Sequence, residues 1–100
     1  MQKLLLADDL FPAMLAGKKK ATIRAGKRDI EPGPLVMVAT NGGYEPKDVE
    51  VTRVTYMAFG LLSEREAVFE GCTVAELNAA MLCFYPDLKA SGIVTVIEFV

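Results

Sequence analysis

The stretch that most restricts how this chain can fold is its last one. Gly92 to Val100 reads Gly-Ile-Val-Thr-Val-Ile-Glu-Phe-Val, with only Thr95 and Glu98 polar. A run so rich in β-branched and aromatic residues forms a strand, and one this apolar belongs in the centre of a sheet. Other strand signals stand upstream. Lys3 to Leu6 is a short apolar run, Ala21 to Arg24 alternates at period two, Leu35 to Ala39 is continuously apolar, and Val49 to Phe59 is the longest. In that longest run Val49 and Val51 share a face, and the alternation then slips so that Val54 and Tyr56 fall out of phase. A β-bulge near Thr52-Arg53 restores them. Without the bulge Arg53 would point the same way as Val49 and Val51, so Arg53 is kept as a candidate site residue.

Helices are marked between the strands. Asp8-Asp9 offers an N-cap for a short helix that holds Pro12 in its first turn and pairs Leu10 with Met14 and Phe11 with Leu15. Gly17 then supplies the left-handed residue that ends it. Two capping boxes follow later, Ser63 with Glu66 and Thr73 with Glu76, split by Gly71. They predict one helix over Glu64 to Glu70 and a second carrying Val74, Leu77, Met81 and Phe84 as a core-facing stripe. Tyr85-Pro86 ends the second helix. Four or five strands with short inserted helices, and no regular strand–helix–strand alternation, predict an α+β fold: a small mixed or antiparallel β-barrel with helices packed at its side.

At 100 residues the chain is one domain, 1–100, able to bury roughly two-thirds of its unfolded surface. No apolar run reaches the roughly 18 residues of a membrane span, and the N-terminus lacks the length of a signal peptide, so the expected location is cytoplasmic with no membrane partner. Cys72 and Cys83 have no zinc or CxxC spacing and are expected as reduced thiols, Cys83 in the core. Histidine is absent. That removes Ser-His-Asp and Cys-His catalysis and the ordinary zinc sites, leaving Lys, Thr, Glu or Tyr for any chemistry. No glycine-rich phosphate loop is present, and no cofactor or metal is expected.

Charge is concentrated in one place. Gly17 to Arg28 holds six of the eleven Lys and Arg residues in a chain whose net charge is −2. A local positive field suits an anion, a phosphate or an electron-rich carbonyl, although a run of lysines is also what a solvated loop looks like. Within it, Thr22 and Arg24 share one strand face. Lys19, crowded by Lys18 and Lys20, could act as a base, Thr22 as a nucleophile or only as the group that positions an attacking water, and Arg24 could bind a phosphate or a carbonyl oxygen. Glu70 ends a helix, where the dipole disfavours a carboxylate; such surroundings produce general acids and bases.

Gly17-Lys18-Lys19-Lys20-Ala21-Thr22-Ile23-Arg24, Ile30-Glu31-Pro32-Gly33, Leu62 to Ala67 with Glu70-Gly71, Tyr85-Pro86 and Val96-Ile97-Glu98-Phe99 together resemble the ASCH domain, a relative of the PUA RNA-binding barrels. The family's common signature is Gly-x-Lys-x-x-Glu-x-Arg. Thr22 stands here in place of the glutamate, which resembles the small bacterial subgroup of N4-acetylcytidine amidohydrolases. The resemblance implies a PUA-like barrel in which Lys19, Thr22 and Glu70 are catalytic. Arg24, Lys20 and Arg53 are the expected substrate-binding residues, and Lys20 replaces a residue that is often small and polar in that subgroup. The implied substrate is a nucleoside. The alternative is an RNA-binding or ribonucleolytic module in which Lys18, Lys19, Lys20, Arg24, Lys27 and Arg28 neutralise phosphates, with Tyr44 and Tyr56 available for stacking.

Overall fold

A computed structural model describes residues Met1 to Val100. Five strands make one mixed sheet: β1 (Gln2–Leu6), β2 (Ala21–Ala25), β3 (Gly33–Ala39), β4 (Lys47–Ala58) and β5 (Ile93–Phe99). Their spatial order is β1-β3-β4-β5-β2, with β1 parallel to β3 and every other pair antiparallel. The three helices are α1 (Phe11–Leu15), α2 (Glu64–Glu70) and α3 (Val74–Phe84). The fold is thus α+β, a curled half-barrel with short helices at its side. β1 and β2 are the two edges, and no ladder joins them. No single helix is long and apolar enough to cross a membrane.

β5 explains the shape. Its Ile97 and Phe99 enter one core with Leu6, Phe11, Met14, Leu35, Met37 and Val51. Its Val94 and Val96 enter a second core with Ile23, Phe59, Ala67, Leu77 and Met81. The strand is apolar on both faces because the barrel interior with α1 lies on one side and α2 with α3 on the other. Each fully buried aliphatic or aromatic side chain contributes about 2 kcal/mol, so β5 ties the two cores together. β4 serves both neighbours by bending: it pairs with β3 up to Val51 and with β5 up to Ala58, and its register shifts between Val51 and Arg53. The expected bulge is there, and it brings Val54 against the same core as Val51.

Three local expectations are corrected. Phe84 is 62% exposed, because Tyr85 and Leu88 pack on the second core beyond Met81 in its place. Cys83 is exposed rather than buried; two residues past Met81 it lies roughly 200° around the helix from the apolar stripe. Asp8 does not cap α1. Its carboxylate accepts from the backbone N–H of Asn41 (2.9 Å) and Gly43 (2.8 Å), fastening the β3–β4 loop instead. α1 has a single turn and a half, and it buries Phe11 and Met14 while Leu15 stays exposed.

Candidate active site

The segment between α1 and β2 is held by backbone contacts on both sides. Gly17, at φ +75°, turns the chain out of α1, and the N–H groups of Lys18 and Lys19 both donate to the Ala13 carbonyl. The Lys20 N–H donates to the Phe69 carbonyl at 2.6 Å, which lays the end of α2 on this segment. Gly71 permits that approach. Its φ is +80°, and a Cβ there would sit 2.7 Å from the Lys18 carbonyl oxygen. The consequence is that Glu70, the last residue of α2, meets Lys19 from 51 positions away: Nζ to Oε2 is 2.5 Å.

The second half of the site comes from the free edge of β2. The Lys20 carbonyl accepts from Phe99 on β5, so the alternation of an antiparallel ladder turns the carbonyls of Ala21 and Ile23 outward. Side chains satisfy both. Lys19 Nζ donates to the Ala21 carbonyl at 2.7 Å, and Arg24 Nη1 donates to that of Ile23 at 3.2 Å. Arg24 Nη2 reaches the Leu5 carbonyl of β1 at 2.6 Å, crossing the seam between the two sheet edges. Nη1 also donates to Thr22 Oγ1. Thr22 and Arg24 therefore share a face, as the alternation predicts, but that face is interior and Thr22 is 1% exposed.

Burial dominates the electrostatics. The Lys19 side chain is 3% exposed and that of Glu70 14%. Burial pushes the Lys19 ammonium below its ordinary 10.5; the charge and hydrogen bond of Glu70 oppose this without cancelling it, and Arg24 adds to the lowering. Arg24 is also lowered by burial, with Tyr85 and Glu70 opposing, yet a guanidinium stays charged at any ordinary pH. The Cys72 thiol is pushed up by burial and by Glu70. Cys72 and Tyr85 thus border the site, although neither was marked as a site residue by sequence; Cys72 follows Glu70-Gly71 directly, and Pro86 fixes Tyr85 at the helix end. No hydrogen bond joins Lys19 to Thr22.

Two expected residues lie apart. The Lys20 side chain is exposed and makes no hydrogen bond, while its backbone does the positioning. Arg53 is on the surface, 3.2 Å from Thr55 Oγ1 and 4.0 Å from Glu98. It belongs to a separate cluster in which Arg65 grips Glu98 with both terminal nitrogens at 3.1 Å. Two surface depressions, of about 400 and 580 Å³, lie beside Met1 and Val100 and beside the 38–46 loop. Neither is lined by Lys19, Thr22 or Glu70. No group of three Cys, Asp or Glu side chains is arranged to hold a metal ion. What the seam can offer is an amine biased toward its basic form, a hydroxyl held from one side, and a carboxylate on the amine.

Solved structures share this architecture. An ASCH domain from Lactobacillus crispatus JV V101 superposes with a TM-score of 0.80 over 98% of this chain and 78% of that one, at 17% identity. Protein EF3133 from Enterococcus faecalis V583 gives 0.75 over 99% and 74%, also at 17% identity. The hypothetical protein PH0355 gives 0.70 over 98% and 95%, at 23% identity. The fold is that of the solved ASCH domain. No family model and no curated protein sequence matches the chain.

Proposed function

We propose that the chain is an amidohydrolase that removes the acetyl group of N4-acetylcytidine, giving cytidine and acetate without a metal. The observation that carries this reading is the Lys19–Glu70 pair, a nearly dry amine held 2.5 Å from a carboxylate beside the strand that bears Thr22. An amine displaced toward neutrality by burial is a competent base. The acetyl group enters at the seam, where Glu70 and Arg24 keep partial exposure. Lys19 accepts the Thr22 hydroxyl proton as Oγ1 attacks the acetyl carbon. Collapse of the tetrahedral adduct breaks the C–N bond, and the proton passes from Lys19 to the N4 leaving group. Glu70 holds the ammonium in between. Water then cleaves the acetyl-Thr22 ester, releasing acetate and restoring the hydroxyl.

The test is release of cytidine from N4-acetylcytidine by the purified protein. Full activity in both Lys19→Ala and Thr22→Ala would sink the assignment.

A second reading, an RNA-binding module, is favoured by one surface feature. Lys18, Lys20, Lys27 and Arg28 are exposed, and Lys27 lies 5.1 Å over the ring of the exposed Tyr56. Tyr44 is less suited to stacking a base, since it already stacks on Phe11 with centroids 5.2 Å apart. On this reading, affinity for short single-stranded RNA falls steeply between two salt concentrations. Salt-insensitive or absent binding excludes it.

A further inference from the structure

We propose that Arg24 is a positioning residue for Thr22: Nη1 holds the hydroxyl oxygen while Nη2 anchors the guanidinium to the Leu5 carbonyl across the barrel seam. The proposal rests on the reading of Thr22 as nucleophile.

An arginine meant for substrate leaves its fork open. This one directs it at Thr22, Ile23 and Leu5 of its own chain. β1 and β2 are unpaired edges, so the link from Arg24 to Leu5 fixes the distance between them at the level of Thr22. The guanidinium is planar and rigid, and two anchored nitrogens leave it one orientation. Thr22 Oγ1 receives a charged donor, and its own hydrogen has no acceptor in the protein, so that hydrogen is turned away from Arg24 and left for a base. A charge-assisted donor stabilises negative charge on the oxygen it touches, and Oγ1 gains that charge as its proton leaves for Lys19. The same cation disfavours a second positive charge on Lys19 and keeps the base in its receptive form.

The experiment compares Arg24→Lys and Arg24→Gln with the wild type in N4-acetylcytidine hydrolysis, with cooperative unfolding checked for each. Arg24→Lys keeps the charge but cannot bridge two anchors from one plane. The expected result is a fall in kcat of roughly 100-fold with KM nearly unchanged, the pattern of a lost transition-state interaction. Arg24→Gln also moves the acid limb of the kcat/KM profile to higher pH, because a cation beside Lys19 is gone. A looser fold alone would not produce that shift. A raised KM with kcat retained makes Arg24 a substrate contact and overturns the proposal, as does full activity. Wild-type inactivity on N4-acetylcytidine overturns the functional reading instead. Arg24 is then decided by acetylation with p-nitrophenyl acetate, in which Thr22 Oγ1 takes the acetyl group and nitrophenolate leaves. Labelling of buried Thr22 ahead of exposed Thr40, and its loss in Arg24→Lys, supports the clasp. Equal labelling in both proteins, or none at Thr22, rejects it. If Arg24→Lys does not fold, the wild-type preference between Thr22 and Thr40 decides alone.

Discussion

Two ion pairs against this sheet each bury one partner, and they are built in opposite ways. In Lys19–Glu70 the more buried partner is the cation, 3% exposed, and it meets one carboxylate oxygen. In Arg65–Glu98 the buried partner is the carboxylate, 6% exposed, and an arginine that is 46% exposed closes on it with two parallel bonds. The fork satisfies both oxygens of Glu98 from a guanidinium that keeps its own solvation, an arrangement that offsets desolvation well. Lysine brings a compact point charge, and burial outweighs what Glu70 returns to it. In the first pair burial and attraction remain opposed, which is the condition the proposed reaction needs of its base; in the second the carboxylate is satisfied at both oxygens.

The largest effect that separates them is on rate. On the proposed amidohydrolase reading, Lys19→Ala and Thr22→Ala should each lower N4-acetylcytidine hydrolysis by about a thousandfold or more, the scale of a lost base or nucleophile. Glu98→Gln should leave the rate within about twofold, since no reacting atom lies there. A folded Glu98→Gln protein as inactive as Lys19→Ala would erase the distinction.

Stability should rank the pairs the other way. Glu98→Gln replaces an acceptor of two charged donors in a buried site, and about 2 kcal/mol of unfolding free energy should be lost. For a domain of this size that is a fall in Tm of about 10 °C. Lys19→Met strips the Ala21 carbonyl and Glu70 of their donor, but it also removes a cation that burial disfavours and leaves Glu70 with access to water, so denaturant titration should show a smaller loss than for Glu98→Gln. A larger one would mean that Lys19 is retained for stability.

Next in size is Gly71→Ala. The positive φ and the Lys18 carbonyl 2.7 Å from the new Cβ together should cost about 1–2 kcal/mol. Because Gly71 seats α2 on the 18–20 backbone, the rate of the proposed reaction should fall as well; Arg65 rides on the first turn of the same helix, the end away from Gly71, so its grip on Glu98 should be disturbed less than the Glu70–Lys19 contact. Unchanged kinetics with lowered stability would show that the seating is not needed to hold Glu70 on Lys19.

Most of the scaffold was legible because its signals are local. The apolar run in β5, the slip in β4, the two capping boxes and the glycines at 17 and 71 each announce their element in a few residues. Lys19, Thr22 and Glu70 were singled out by residue type and position, yet spacing could not say that Glu70 reaches Lys19; that depends on how Gly71 and Phe69 seat α2. The sequence points Arg24 at a ligand because it shows a strand face and not what lies opposite. The carbonyl of Leu5 is invisible until β1 and β2 are known to be the sheet edges. Phe84 and Tyr85 exchanged places for a similar reason, since a helical stripe does not reveal which residue at its end still has a core beneath it.

The subtlest difference between the pairs lies in pH. Lys19 has a native value below 10.5, so between that value and 10.5 the unfolded chain binds more protons at this residue than the folded one. Stability contributed through Lys19 therefore rises with pH across that window, and below it the cost of the buried ammonium is borne in full. Wild type should gain on Lys19→Met as pH rises through the window, and the acid limb of kcat/KM should report the same titration. Glu70→Gln removes the anion that raises Lys19, so its limb should move to lower pH even as kcat falls. Glu98→Gln should leave the limb in place, because Glu98 is not among the charges that act on Lys19. A limb that moves with Glu98 and not with Glu70 would assign the titrating group to the other pair.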